Sequence, residues 1–173
     1  MDRRAGDLTA AMRMRSPFGI ALVILAIAVL SIAGAFVFEA LGYAPCELCL
    51  KERMPYYTAI PVASLAVLFA ARGSKAFLRP AFVALALIFA ASAIFGAYHA
   101  GIEWGFWPGP TECTGALDRA RSVEDFLRQL QSVKVARCDA PALRILGLSL
   151  AAWNAAVSLG LAVLAVVGAR FRG

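Results

Sequence analysis

The chain has 173 residues, of which 61% are hydrophobic and 16% charged. A soluble domain of this length needs far more polar surface, so the composition excludes one and indicates a membrane protein. The net charge of +6 does not indicate a nucleic-acid surface, because its basic residues are segregated along the chain in a way that nucleic-acid binding does not require.

Four stretches contain no Asp, Glu, Lys or Arg: Ser16 to Phe38, Met54 to Ala71, Pro80 to Gly101 and Ile145 to Ala169. Each is long enough for a helix to cross about 30 Å of hydrocarbon. The sequence therefore predicts an all-α membrane protein, a four-transmembrane-helix bundle in a single membrane domain covering 1–173. The expected spans are about 17–38, 54–71, 80–100 and 145–169, with loops 39–53 and 101–144 on one side.

Arg13-Met14-Arg15 before the first span and Ala33-Gly34-Ala35 near its end resemble parts of a secretory signal. The uncharged run is longer than a signal core and a cysteine pair follows directly, so an uncleaved anchor is expected. Ser31 and Gly34 are small enough for close helix packing. The first loop carries Pro45-Cys46-Glu47-Leu48-Cys49-Leu50-Lys51-Glu52-Arg53 and is too short to take its cysteines far from the membrane surface. A helix starting near Cys46 would put Arg53 four residues beyond Cys49 on the same face. The helix N-terminus and a guanidinium that keeps its proton would then both favour a Cys49 thiolate, with Glu47 and Glu52 opposing them.

In the second span Pro55 suits a first turn and Pro61 is expected to bend the helix. Arg72-Gly73-Ser74-Lys75 reads as a tight turn, which makes the second and third spans antiparallel neighbours. His99, the only histidine, ends the third span. It reads either as an interfacial residue or as a hydrogen-bonding proton donor to a bound ligand. Tyr98, Trp104 and Trp107 suit the headgroup layer, and Glu103 reads as a solvated carboxylate. Pro108-Gly109-Pro110 breaks any helix before Cys113, after which the chain is polar as far as Arg144. Within that loop Ser122-Val123-Glu124-Asp125 has the form of a capping box. Val123, Phe126, Leu127 and Leu130 fall on one face, which predicts a short amphipathic helix along the bilayer surface. Asp139-Ala140-Pro141 leads into the last span, whose outer third holds Trp153 and Asn154.

Arg3, Arg4, Arg13, Arg15, Arg72, Lys75, Arg79, Arg170 and Arg172 lie in the three segments that four spans bring to one side, against only Asp2 and Asp7. The positive-inside rule makes that side the cytoplasm and puts both termini there. Cys46, Cys49, Cys113 and Cys138 then all lie on the opposite, oxidising side, where disulfides form and persist. Two structural disulfides would be the plainest use of them, but a bond across a three-residue spacing closes too small a ring to restrain the unfolded chain much. Zinc is disfavoured, because no second close cysteine pair matches the first and free thiolates do not last on that side; no metal is expected. Thiol–disulfide exchange between the pairs explains why one pair is held at the membrane surface and the other on a long loop. No nicotinamide or flavin fingerprint is present, and a single histidine excludes bis-histidine haem. A lipid-soluble quinone is the acceptor such a site can reach.

From Phe18 to Val167 the sequence resembles the DsbB family of bacterial inner-membrane disulfide-forming proteins. The resemblance rests on the four-span layout, Pro45-Cys46-x-x-Cys49-x-x-x-Arg53, Cys113 and Cys138 in the second loop, Tyr98-His99-Ala100-Gly101, and Gly147-Leu148-Ser149-Leu150 up to Trp153-Asn154. It implies a protein-disulfide oxidoreductase in which a reduced periplasmic thiol oxidase of DsbA type attacks Cys113. Cys138 would then exchange with Cys46, and Cys49 would meet ubiquinone or another membrane quinone, with Arg53 polarising the quinone oxygen. His99 is the further candidate for contact with the quinone. The expected resting pairs are Cys46–Cys49 and Cys113–Cys138. The competing expectation is a non-enzymatic four-span protein stapled by two disulfides.

Overall fold

A computed structural model describes residues 16–74, 76–110, 122–124, 127 and 137–171. Four helices, α1 (Pro17–Ala40), α2 (Glu47–Ala71), α3 (Leu78–Glu103) and α4 (Leu150–Ala169), are each long and apolar enough to cross a membrane. A short antiparallel pair, β1 (Arg144–Ile145) and β2 (Leu148–Ser149), precedes α4. The expected loop helix falls mostly outside the described residues; Val123, Glu124 and Leu127 are helical and exposed.

The helix starts follow local capping chemistry. Pro17 occupies a first-turn position of α1, where its missing N–H costs nothing, and Ser16 Oγ accepts from the Gly19 N–H at 3.1 Å. Cys46 caps α2 in the same way, its sulfur accepting from the Cys49 N–H at 3.2 Å. The cap at Cys46 is the helix start the sequence leads one to expect, eight residues ahead of the uncharged run from Met54, and Pro55 therefore sits inside the helix rather than in its first turn. The last helix differs in the opposite sense. Leu146 (φ 52°) and Gly147 (φ 84°) both take left-handed backbone, the pattern of a two-residue hairpin turn, so residues expected to begin the span form β1 and β2 instead. Helix α4 begins only where Ser149 Oγ caps it by accepting from the Ala152 N–H at 3.2 Å.

The core is built from small residues set against a few large ones. Ala59, Ala63 and Ala66 of α2 and Ala162 and Ala165 of α4 are buried with Ile20, Ile24 and Ala28 of α1 and Phe82, Leu85 and Phe89 of α3. Lipid is as apolar as these side chains, so burial from water does not hold the helices together; close packing does, and small residues permit it. Helices α3 and α4 make the most extensive contact. A Cβ on Gly96 would lie 2.9 Å from the Ala155 nitrogen, and one on Gly168 would lie 2.5 Å from the Phe82 ring. At the other end of α3, Trp107 folds back over Gly101, stacks on Tyr98 at 5.9 Å and donates from Nε1 to the Tyr98 carbonyl at 3.0 Å. The start of α2 and the end of α3 meet at Cys46, which is buried with Leu48, Ile102 and Cys138.

Candidate functional site

Cys46 and Cys49 are free thiols with sulfurs 2.8 Å apart, Cys46 buried and Cys49 half-buried. The expected Cys46–Cys49 disulfide is therefore represented by its reduced pair. Cys138 is disulfide-bonded, and neither of these free thiols is its partner. Cys113 lies outside the described residues. Cys138 nevertheless reaches the first pair, since Cys46, Leu48, Ile102 and Cys138 form one buried cluster with Cys49 packed against it.

The two thiols are chemically unequal. Cys46 receives the Cys49 N–H as helix cap, and its sulfur lies 3.7 Å from His99 Nε2. Its thiol pKa falls from 9.0 to about 4, mainly through the hydrogen bond with the Cys49 thiol, with His99 and the capped N–H adding to it against burial. The sequence expectation assigned the favoured thiolate to Cys49 through the helix N-terminus and Arg53. The structure aims the N-terminal N–H at Cys46 instead. Arg53 turns to Glu39, with Nη1 donating to Oε2 at 2.8 Å and the guanidinium carbon 5.3 Å from the centre of the Phe36 ring. The Arg53 side chain is only 12% exposed, so it is no solvated headgroup anchor. Glu47 pairs with Lys51 at 2.7 Å on the exposed face of α2, which takes its charge out of direct contact with the sulfurs.

His99 is buried rather than interfacial, at 1% exposure. Its Nδ1 lies 2.7 Å from Glu52 Oε1, and Glu52 Oε2 accepts from Asn154 Nδ2 at 2.9 Å. Asn154 Oδ1 accepts from the Tyr56 hydroxyl at 2.7 Å, and that hydroxyl lies 3.0 Å from Ser158 Oγ. The sequence expectation has Glu52 only as a charge opposing the Cys49 thiolate, and gives neither it nor Tyr56 a place among the site residues. The available signal was its spacing, since Cys49, Glu52 and Tyr56 follow one another at i, i+3 and i+7 on a single helix face. Glu103, expected to be solvated, has a buried Oε2 with no hydrogen-bond partner among the described residues.

Two cavities flank the cysteine pair. One, of about 300 Å³, lies on the loop side and is lined by Cys46, Cys49, His99, Glu103 and Arg137, among others. The other, of about 310 Å³, opens among α1, α2 and α4 and is lined mainly by apolar groups of α1 and α4, with Cys49, Glu52, Arg53 and Asn154 as its polar wall. The second cavity has the size and character of a small-ligand site and suits a planar, lipid-soluble ring. Cys49 is the cysteine that lines both. Cys46, Cys49 and His99 have ligand atoms within 4.8 Å of one another, a donor set that also suits a soft divalent metal.

The model of a family described as disulfide bond formation protein DsbB matches residues 16–168. The chain is also similar to a Rickettsia prowazekii (strain Madrid E) protein named only as uncharacterized protein RP370, at 26% identity over 145 residues, covering 82% of this chain and 81% of that protein. No solved structure matches the chain.

Proposed function

The chain belongs to the DsbB family, whose membership implies disulfide bond formation by a four-span membrane protein, and from that premise we propose that it is a quinone-dependent protein-disulfide oxidoreductase. In this reading it reoxidises a periplasmic DsbA-type thiol oxidase from the bacterial inner membrane. The observation that carries the proposal is the seating of disulfide-bonded Cys138 in one buried cluster with Cys46, while Cys49 lines the lipid-side cavity next to Arg53. Electrons have a short path from one cysteine pair to the other and on to that cavity.

The partner's thiolate attacks Cys113 of a Cys113–Cys138 disulfide and releases Cys138. The Cys138 thiolate then attacks Cys46 of a Cys46–Cys49 disulfide and releases Cys49. The partner's second thiol displaces Cys113 as the partner leaves oxidised, and Cys113 displaces Cys46 from Cys138, which restores Cys113–Cys138 and leaves the first pair as the dithiol Cys46 and Cys49. A bound quinone supplies the acceptor for two electrons and two protons. Arg53 holds positive charge at the cavity wall where negative charge develops, and Cys49 presents the sulfur that faces it. His99 keeps Cys46 poised for exchange by lying against its sulfur.

The test separates the half-reactions in purified, lipid-embedded protein. Mixing the reduced form anaerobically with a short-chain quinone should consume two thiols per quinol formed. Arg53→Gln should slow that step about 10²-fold while exchange of a reduced DsbA-type protein with the Cys138 disulfide stays near the parent rate. A parent protein whose thiols persist in the presence of quinone would sink the proposal.

A further inference from the structure

The sulfur chemistry leaves one feature of the bundle unexplained. From His99 a row of polar side chains, buried except for the half-buried Asn154, continues into the apolar interior: Glu52, Asn154, Tyr56, Ser158 and then Ser92, whose Oγ lies 2.9 Å from that of Ser158. Interhelical hydrogen bonds of this kind can act as glue between α2, α3 and α4. Glue does not need a carboxyl group, which is costly in a span and is the group type that marks proton routes there.

The position of the carboxyl is the informative part. Glu52 lines the lipid-side cavity and His99 the loop-side cavity. Their 2.7 Å hydrogen bond spans the wall between the two. His99 presents its other nitrogen to Cys46. The arrangement thus joins the sulfur that exchanges with the loop to the cavity that Cys49 and Arg53 line. We propose that Glu52 and His99 form a proton conduit across this wall, with Glu52 as the catalytic acid toward the quinone oxygen and Asn154 and Tyr56 as its positioning residues. This rests on the quinone reading given above.

The step balances. Oxidising the Cys46 and Cys49 thiols to a disulfide releases two electrons and two protons, and reduction of a quinone to its quinol takes up both. The Cys49 proton leaves directly into the cavity that its sulfur lines. The proton given up when Cys46 forms its favoured thiolate is held at His99 Nε2, the proton on Nδ1 crosses to Glu52, and Glu52 releases a proton toward the acceptor oxygen. The other titratable or charged groups around the pair, among the described residues, are Cys46, Cys49 and Tyr56 on α2 and its cap, Glu103 on α3, Arg53 paired with Glu39 of α1, and Arg137 beside the loop-side cavity. Helix α4 contributes only groups that do not titrate there, Asn154 and Ser158.

Glu52→Gln keeps the size of the side chain and one of its two acceptor oxygens while removing the exchangeable carboxyl proton. Two readouts apply to full-length protein in lipid. In quinone-free protein cycled by a soluble dithiol and disulfide, the infrared difference spectrum should contain a carboxyl band that Glu52→Gln removes and Glu103→Gln leaves. With a short-chain quinone, Glu52→Gln should slow thiol oxidation about 10²-fold and alter its pH profile, with Glu52→Asp recovering part of the rate. Tyr56→Phe should give a smaller loss. Parent-like behaviour of Glu52→Gln in either readout overturns the conduit. If that variant does not assemble, His99→Gln cuts the same route and is read in the same way. A parent protein that cannot use quinone defeats the function proposed above, while the quinone-free spectrum still decides whether Glu52 exchanges a proton with the cysteine pair.

Discussion

Cys46 and Cys49 are separated by a single helical turn, yet the turn gives them different chemistry. The residue at the cap receives the N–H groups that the helix leaves unpaired, and the residue one turn later supplies one of them. Cys46 is the receiver here and also has His99 against its sulfur. Its thiol pKa is lowered from 9.0 to about 4. For a group depressed in the folded state, the associated stability is fully present above the unfolded value and is lost as pH falls through the folded one. The reduced protein should therefore lose thermal stability as pH is lowered from about 9 toward 4, and Cys46→Ser should flatten that dependence. Alkylation should follow the same rule, with Cys46 still modified at mildly acidic pH in protein unfolded just after labelling. A Cys46 that labels only above the ordinary thiol range would remove the electrostatic argument. Glu39 holds the Arg53 guanidinium on the wall of the cavity that Cys49 also lines.

At the scale of the element, α1 contributes a wall to the lipid-side cavity rather than only a core stripe. Ser31, Gly34, Ala35 and Phe38 all line it, and a Cβ built on Gly34 meets nothing within 4 Å. The small residue leaves room for a ligand instead of bringing two helices together, which is a different use from the close packing its size suggests. Gly34→Leu should therefore be tolerated by the fold, since an isolated glycine-to-leucine change in a helix interior is favourable in propensity by about 1 kcal/mol. It should raise the KM for a short-chain quinone at least 10-fold by filling the space, and leave exchange with the Cys138 disulfide unchanged. Quinone kinetics together with thermal unfolding check both halves. An unaltered KM would move the quinone away from this cavity. The same element shows where sequence reading stops. The four apolar runs announce the helices, because a single segment satisfies its own backbone within hydrocarbon by forming a helix. The cysteine spacing, Arg53 and His99 are legible in the sequence as candidates, and all of them line one or both of the two cavities. Glu52 is not legible as a site residue because uncharged runs mark the spans, whereas α2 begins at Glu47 and contains its own charged residues. The hairpin at Leu146 and Gly147 escaped because left-handed backbone at a leucine leaves no periodic signal.

For the whole molecule, the bundle has two chemically opposed ends. The capped start of α2, His99, Cys138 and the hairpin gather at one, while the Arg72–Gly73 turn, Arg79 and Arg170 belong to the other. This polarity matters because thiol exchange of the kind proposed works in the forward direction only where the cysteine end meets an oxidising compartment. We predict that the basic end is cytoplasmic. Arg72, Arg79 and Arg170 flank the ends of the spans, where the bias in such residues sets orientation, and acidic residues contribute little to it. Two reporters with opposite requirements decide the matter. Green fluorescent protein joined after Gly173 matures only in the cytoplasm, whereas alkaline phosphatase at the same point needs disulfides and is active only outside it. Fluorescence without phosphatase activity is the expected result. Phosphatase activity without fluorescence would turn the bundle over, put Cys46 and Cys49 in a reducing compartment, and remove the redox gradient on which electron transfer from the loop to the quinone depends.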